Sequence, residues 1–385
     1  MFSDRTNWNL NANRLSRALA GHRAAGKPLL DLTMSNPTEC GFDYDQEEIL
    51  RALANPGALH YEPDPRGLPV ARQAVSAYYR SRGDAVSAGD LILTASTSEA
   101  YSFVFRTLCN PGDEILIPAP SYPLFSFLAD IQDVKLARYP LNHDHGWQID
   151  FHALEQAITS RTRGVIVVNP NNPTGHFCRL EDVARFNRIC SAHGMAIIAD
   201  EVFLDFALDS RRPPSFASNN GTLTFTMSGL SKISGLPQMK TAWLLTTGPA
   251  ELKSHALARI EVIADTFLSM NVPLQLATPA FLELRRGFQE QLMARVRGNL
   301  VELDHQLAGQ KFCSRLEVEG GWYAVLRVPA TQSDEDFAVE LLTAKGVYVH
   351  PGHFYDFPAD GNLVVSLITT EKDFAEGIKL LLSMF

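Results

Sequence analysis

The chain has little of what marks secreted and membrane-bound proteins. Five cysteines, an odd number without C-x-x-C spacing, are scattered over 385 residues. This usage is typical of reduced thiols and not of a disulfide framework or a zinc site. The N-terminus has no apolar core like that of a signal peptide, and no apolar run approaches the roughly 18 residues that a membrane span needs. We therefore expect a cytoplasmic protein without a membrane partner.

Positive charge is also scarce. The chain carries 34 Lys and Arg against 43 Asp and Glu, for a formal net charge of −9, and no basic run occurs. Nucleic-acid binding usually needs a basic stripe, so we expect no nucleic-acid partner. A small anionic substrate is compatible with this charge, because an acidic protein can hold a local positive site. The pair His143 and His145 stands beside Asn, Asp and Gly, which indicates a turn, and we expect no metal site.

What the sequence does contain is an alternation of short apolar runs and helix-like segments. The β-like runs are Leu91–Thr94, Glu114–Ile117, Gly164–Val168, Met195–Ala199, Thr222–Thr226 and Thr241–Thr246. Continuous apolar strands between helices indicate a mostly parallel sheet covered on both faces, an α/β domain that we place over residues 41–285. Residues 286–385 indicate a smaller α+β domain. Residues 1–40 are expected to form an arm and a helix near Trp8–Ala25 that pack on the small domain or on a partner subunit. Another helix is predicted near Ser121–Asp130.

Polar side chains follow four of these strands where each one ends. Ligands in open α/β sheets bind outside the carboxyl ends of the strands. Hydroxyls at the start of a predicted helix can cradle a phosphate, and they belong to Ser96, Thr97 and Ser98. Tyr122 offers a flat surface for an aromatic ligand, Asn172 an amide, and Asp200 a carboxylate that can pair with a cationic ring nitrogen. Each also has an ordinary structural explanation, as a helix cap, a rigid turn or packing.

Lys232 changes the balance between these explanations. It lies among small residues, thirty-two positions after Asp200 and sixty after Asn172. An amine, an amide and a carboxylate in that order suit an enzyme that holds an aldehyde cofactor as a Schiff base. A phosphate cradle, a stacking ring, an amide, an acid and an amine are together the groups that a pyridoxal phosphate site requires.

At these residues the chain resembles the fold type I pyridoxal-phosphate enzymes, specifically the class I/II aminotransferases. The resemblance runs from about Leu32 to the C-terminus. It is carried by Tyr61 with Gly67, Pro111-Gly-Asp-Glu-Ile115, Asn172-Pro-Thr-Gly175, Asp200-Glu-Val202, Ser231-Lys232 and Gly320-Gly321. It implies a large domain with a sheet between helices and a smaller α+β domain. It also implies ping-pong transfer of an amino group between an amino acid and a 2-oxo acid.

The resemblance implies a role for each matching residue. Lys232 would form the Schiff base and then carry the proton, while Asp200 would hold the pyridinium nitrogen. Asn172 would donate to the ring oxygen, and Tyr122 would stack on the ring. The phosphate would be held by Ser96, Thr97, Ser98, Ser231 and Lys240, with Tyr61 contributed by the other subunit. Tyr61 is expected to come from the other subunit because sites in this family form across the interface of a homodimer.

Three positions near the cofactor depart from the family pattern. Phe203 stands where the family commonly has a tyrosine that hydrogen-bonds the ring oxygen, so that oxygen should hold its proton harder. Lys240 replaces an arginine and loses the bidentate fork while it keeps the charge. Gly229 replaces a phosphate-binding serine. We expect that the protein still binds the cofactor, with altered contacts to its phosphate and ring oxygen.

The fourth departure concerns the substrate. Val364 stands where the family usually has an arginine that clamps the α-carboxylate, so no bidentate clamp is available there. Either another group takes over, or the substrate differs from a standard α-amino acid. Candidate substrate-binding residues are Asn36, His353 and Tyr355. A packed loop is the structural alternative for the last two.

Three other functions are weighed against transamination. A pyridoxal-phosphate lyase, decarboxylase or cyclising enzyme shares the same apparatus, and Val364 favours this alternative. A cofactor-binding regulator without turnover would be expected to carry a DNA-binding domain, and no basic recognition helix occurs. A nucleotide-binding dehydrogenase fits the alternating pattern, but no G-x-G-x-x-G follows the early strands, and Lys232 would have no role in it.

Overall fold

The computed structural model describes residues 1–210 and 213–385. Its strands, in chain order, are β1 Leu30–Asp31, β2 Leu91–Thr94, β3 Glu114–Ala119, β4 Lys135–His143, β5 Trp147–Ile149, β6 Thr162–Val168, β7 Ala196–Asp200, β8 Thr224–Gly229, β9 Ala242–Thr247, β10 Ser314–Arg315, β11 Tyr323–Arg327, β12 Val347–Tyr348, β13 His350–Pro351 and β14 Asn362–Ser366. Its α-helices are α1 Arg14–Ala24, α2 Gln46–Leu53, α3 Pro69–Ser81, α4 Thr97–Leu108, α5 Phe125–Asp130, α6 Phe151–Gln156, α7 Leu180–His193, α8 Leu230–Ile233, α9 Ala250–Phe267, α10 Val272–Ala308, α11 Asp334–Lys345 and α12 Glu371–Leu382.

An eight-stranded sheet in the order β2-β9-β8-β7-β6-β3-β4-β5 forms the centre of the larger part. The β3, β4, β6, β7 and β8 pairings are parallel. Strand β9 is antiparallel to both of its neighbours, and β5 is antiparallel to β4 at the edge. Every residue of β7 and β8 is buried; β7 is apolar up to its final residue, whereas β8 alternates hydroxyl with large apolar side chains. The predicted mostly parallel α/β sheet is confirmed.

The order of strands brings the predicted site residues to one edge. Strands β6, β7 and β8 run in the same direction, so Asn172, Asp200 and Lys232 all follow strands that end at that edge. Because β9 lies antiparallel between β2 and β8, β2 also runs parallel to β8. The start of α4, directly after β2, therefore lies at the same edge.

A second, antiparallel sheet in the order β10-β11-β14-β13 forms in the C-terminal part. It shares an apolar core with α10, α11 and α12 that includes Trp322, Leu341 and Phe374. Helix α1 contacts α11, and β1 pairs with β12, so the N-terminal segment lies against this part. Helix α10 runs without a break through residues 285 and 286. We propose the domain division 1–40, 41–285 and 286–385, with that helix passing through the last boundary.

Two helices begin later than the sequence predicts. The first helix begins at Arg14 and not near Trp8, because Asn13 accepts a hydrogen bond from the amide of Ser16 at 2.7 Å and caps the helix there. The indole of Trp8 instead donates to Asp130 at 2.8 Å. The helix predicted near Ser121 begins at Phe125. No described helix has the length and apolar character that crossing a membrane requires.

Candidate active site

A cavity of about 270 Å³ lies at the edge of the large sheet where these strands end. Nine of the residues predicted from sequence line it, namely Ser96, Thr97, Ser98, Tyr122, Asn172, Asp200, Phe203, Ser231 and Lys232. The lining also contains residues that were not predicted as site residues, among them Ser35, Ala242 and Tyr323. A larger cavity of about 580 Å³, lined partly by Arg179, Arg185 and Glu319, lies elsewhere and contains none of the predicted residues.

Lys232 lies in α8, the single helical turn that follows β8. Its Nζ is 4.6 Å from the ring centre of Trp322 and 5.5 Å from that of Phe203. Burial lowers the pKa of Lys232 to about 8, and the charge of Asp200 opposes this shift. A substantial fraction of the amine is therefore unprotonated just above neutral pH, which a nucleophile or a proton acceptor requires.

Asp200 is the last residue of β7 and is buried. Its Oδ2 accepts a hydrogen bond from the hydroxyl of Tyr101 at 3.0 Å, and its Oδ1 accepts one from the amide of Val202 at 3.2 Å. Burial raises the pKa of Asp200 to about 6, while these hydrogen bonds and the charge of Lys232 act against the rise. A cation bound in the cavity would lower this pKa and be stabilised in return.

The first turn of α4 forms the anion-binding end of the cavity. The Ser96 hydroxyl caps the helix by accepting from the amide of Glu99 at 3.1 Å, and the Glu99 carboxylate accepts from the amide of Ala95 at 2.7 Å. The first amides of a helix have no acceptor within the helix, which leaves those of Thr97 and Ser98 to meet an anion together with the helix dipole. Their hydroxyl groups lie at the same place.

At Gly229, strand β8 contributes no side chain to the anion-binding end of the cavity. This residue pairs with Ala242 of β9, and a Cβ at position 229 would lie 2.8 Å from the Cβ of Ala242 and 2.9 Å from the carbonyl oxygen of Thr241. Lys240 adopts a left-handed conformation with φ 43° and is exposed outside the cavity lining. Tyr61 is 69 % exposed and also lies outside the lining of its own chain's cavity.

The donor set fits pyridoxal phosphate. Asn172 Oδ1 is buried with no hydrogen-bond partner among the described residues, so a polar ligand can satisfy this acceptor, while the NH2 group of the same amide can donate to a ring oxygen. An acid for the ring nitrogen, an aromatic ring at Tyr122, an amine for the aldehyde and a helix N-terminus for the phosphate surround the same cavity. The residues present therefore could hold this cofactor.

The position of the missing arginine is apolar. Val364 is 1 % exposed in a cluster with Leu316, Val325 and Tyr355. The Tyr355 hydroxyl lies 3.1 Å from Nδ1 of His350 and outside the cavity lining.

The other two predicted substrate residues also lie outside the lining. Asn36 and His353 are both exposed. The Asn36 side chain accepts from the amide of Thr38 at 3.2 Å and from its hydroxyl at 2.8 Å. The sequence pattern does not predict Tyr323 as a lining residue, although Tyr323 closely follows the Gly320-Gly321 pair.

The fold and the cavity are those of a fold type I enzyme that uses pyridoxal phosphate. The family model described as aminotransferase class I and II matches residues 4–379, and the chain belongs to that family. It is 30 % identical over 376 residues to alanine aminotransferase of Mycobacterium tuberculosis, covering 93 % of this chain and 86 % of that protein. It is 28 % identical over 344 residues to glutamate-pyruvate aminotransferase AlaA of Escherichia coli, covering 86 % and 84 %.

Solved structures agree with this assignment. An aminotransferase from Escherichia coli superposes with a TM-score of 0.86 at 26 % identity, covering 100 % of this chain and 96 % of that one. Alanine aminotransferase from Pyrococcus furiosus superposes with a TM-score of 0.89 at 23 % identity, covering 100 % and 99 %, and shows the same fold. The protein is thus a pyridoxal-phosphate-dependent aminotransferase, and the lyase, decarboxylase and cyclising alternatives lose their support.

Proposed function

We propose that this aminotransferase exchanges amino groups among small α-amino acids, with alanine or glutamate as donor and pyruvate or another 2-oxo acid as acceptor. One observation carries the proposal, namely the convergence of Lys232, Asp200 and Asn172 in a single cavity. The named activities of the Mycobacterium tuberculosis and Escherichia coli relatives support the choice of substrates.

The residues of the cavity divide the chemistry among themselves. When bound, pyridoxal phosphate supplies a ring that accepts the electrons released when the Cα–H bond of the substrate breaks. Lys232 Nζ holds the cofactor before the substrate arrives and then moves the proton away from Cα, a transfer suited to an amine whose pKa is about 8. Asp200 keeps the ring nitrogen protonated, because its buried carboxylate is fixed by Tyr101 and the amide of Val202.

The remaining cavity residues bind and orient the cofactor. Asn172 would offer its amide to the ring oxygen, and Tyr122 and Phe203, which line the same cavity, would provide aromatic surfaces for the ring. In this proposal the phosphate is held by Ser96, Thr97, Ser98 and Ser231, with Lys240 and Tyr61 as more distant contributors.

The proposal includes a homodimer in the cytoplasm. The segment from α2 to Tyr61 exposes three large apolar side chains, with Leu50 at 65 %, Leu59 at 95 % and Tyr61 at 69 %. A self-complementary interface over this segment would bury them and bring Tyr61 toward the cavity of the other subunit. The five free cysteines support a reducing compartment. Sedimentation of the purified protein tests the dimer.

Borohydride reduction followed by peptide mass spectrometry tests the assignment of Lys232. We expect the mass of the cofactor on the peptide that contains Lys232, no such mass in Lys232→Ala, and an unchanged label in Lys311→Ala, which removes an exposed lysine. Covalent cofactor in Lys232→Ala would overturn the assignment.

Absorbance spectroscopy of the loaded enzyme tests the reaction. L-Alanine or L-glutamate should convert the bound cofactor to its aminated form and release one oxo acid, and a 2-oxo acid should restore the starting spectrum. Continuous turnover of an amino acid without any 2-oxo acid acceptor would indicate a lyase and contradict the proposal.

A further inference from the structure

Tyr323 forms the wall of the cavity that faces the C-terminal sheet. It begins β11 and pairs with Ser366 of β14. Its ring centre lies 6.2 Å from that of Phe203, edge to face at 85°. It lines the same cavity as Lys232 and Asn172, and it also packs against the apolar cluster that contains Val364.

The sheet face that carries Tyr323 is apolar where it meets Val364. Val325 lies opposite Val364, and Tyr323 is two residues from Val325, so these three side chains lie on the same face of the sheet. They contact one apolar cluster together with Leu316 and Tyr355. A charged group in this cluster would lie in apolar surroundings without a partner, which is strongly unfavourable.

For a carboxylate beside Tyr323, the described lining of the cavity offers only neutral donors. Among the described residues that line it, Lys232 is the only basic side chain, and the proposed function uses it for the cofactor. Burial raises the pKa of Tyr323 to about 12, and a hydrogen bond from Ser35 opposes the rise. The phenol therefore remains protonated at neutral pH and can donate a hydrogen bond.

We propose that Tyr323 receives the α-carboxylate of the substrate through a neutral hydrogen bond, in place of a guanidinium clamp. This inference rests on the proposed function, because it concerns the substrate of the same site. An arginine fork donates two charge-assisted bonds in a fixed geometry, whereas a phenol donates one. The site therefore distinguishes an α-amino acid from its uncharged analogue less strongly than an arginine site does.

The Tyr323→Phe variant of the full-length, cofactor-loaded enzyme tests the inference. The KM for L-alanine should rise about tenfold through loss of one hydrogen bond to a charged group, with kcat nearly unchanged. The half-reaction with L-alaninamide, which has no carboxylate, should keep its concentration dependence. A structural role for Tyr323 would change both substrates alike.

Tyr348→Phe serves as the matched control, because this tyrosine belongs to β12 and lies outside the cavity lining. It should leave both substrates unaffected. Equal effects of Tyr323→Phe on L-alanine and L-alaninamide, or an unchanged KM for L-alanine, would overturn the inference. A rise in the KM for L-alanine in Tyr355→Phe but not in Tyr323→Phe would overturn it as well. Failure of the proposed function is seen separately, as a wild-type spectrum that no amino acid changes.

Discussion

The two ends of the cavity are built in different ways. The cofactor end is formed where strands of one sheet terminate, and its polar groups come from short segments directly after β2, β6, β7 and β8. The end that we propose for the substrate contains Ser35 and Tyr323, which are far apart in sequence, and Tyr323 packs against an apolar cluster around Val364. The first end keeps the apparatus that every reaction of this cofactor needs. In our proposal the second end binds the substrate carboxylate through neutral hydrogen bonds instead of a charged side chain.

The residues proposed for the reaction and those proposed for substrate specificity differ in how burial affects them. Asp200 and Lys232 each owe their shifted pKa first to burial, so their chemistry depends on exclusion of water by the sheet. Tyr323 contributes a donor that stays neutral over the physiological pH range. Substitutions of Asp200 or Lys232 should therefore change the rate of the chemical step, and substitutions at the substrate end should change affinity or stability.

The largest effect is expected for Asp200→Asn at the cofactor end. An amide has nearly the same shape but cannot balance a positive ring nitrogen, so the rate of the first half-reaction should fall by about 10²–10³-fold, the scale of losing one preorganised electrostatic group. Stopped-flow absorbance with L-alanine measures it. Tyr101→Phe removes only one hydrogen bond from Asp200 and should have a clearly smaller effect. A similar loss in both variants would mean that the charge of Asp200 is not what matters.

Val364→Arg is the corresponding change at the substrate end. The guanidinium would enter a cluster where Val364 is 1 % exposed, and we expect the free energy of unfolding to fall by about 3 kcal/mol. Urea denaturation measures it, with Thr343→Arg on the exposed face of α11 as a control that should change stability by less than about 0.5 kcal/mol. Full stability combined with tighter binding of L-alanine would show that this end still accommodates an arginine clamp.

The sequence predicted the cofactor end better than the substrate end, and the reason is geometric. Asn172, Asp200 and Lys232 each follow a buried strand, and parallel strands end at one edge, so their proximity follows from local pattern alone. The position of Tyr323 depends on the pairing of β11 with β14 and on how the second sheet lies against the first, which no local pattern contains. The candidates Asn36, His353 and Tyr355 lie outside the lining.

A smaller effect is expected for Gly229→Ser, which tests the phosphate side of the cofactor end. The new side chain meets the Cβ of Ala242 and the carbonyl of Thr241, so cofactor affinity should fall about tenfold, at the lower end of what overpacking costs. Adding Ala242→Gly removes the nearest of these atoms and lets the serine hydroxyl contact the phosphate. Titration of the apoprotein with pyridoxal phosphate should show recovery in the double variant. Weaker binding in the double variant than in Gly229→Ser alone would contradict this explanation.

The smallest effect is expected for Phe203→Tyr, which lies between the two ends. A hydroxyl at this position would donate to the cofactor's ring oxygen and stabilise its deprotonated form, so the pKa seen in the absorption of the bound cofactor should fall. One hydrogen bond of about 1.4 kcal/mol corresponds to about one pKa unit, so the deprotonated spectrum should appear at a pH lower by about one unit. Phe357→Tyr, outside the cavity lining, should leave the midpoint unchanged. An unchanged midpoint in Phe203→Tyr would show that a hydroxyl at residue 203 does not reach the ring oxygen. The apolar part of the cavity would then extend closer to Lys232 than the lining residues indicate.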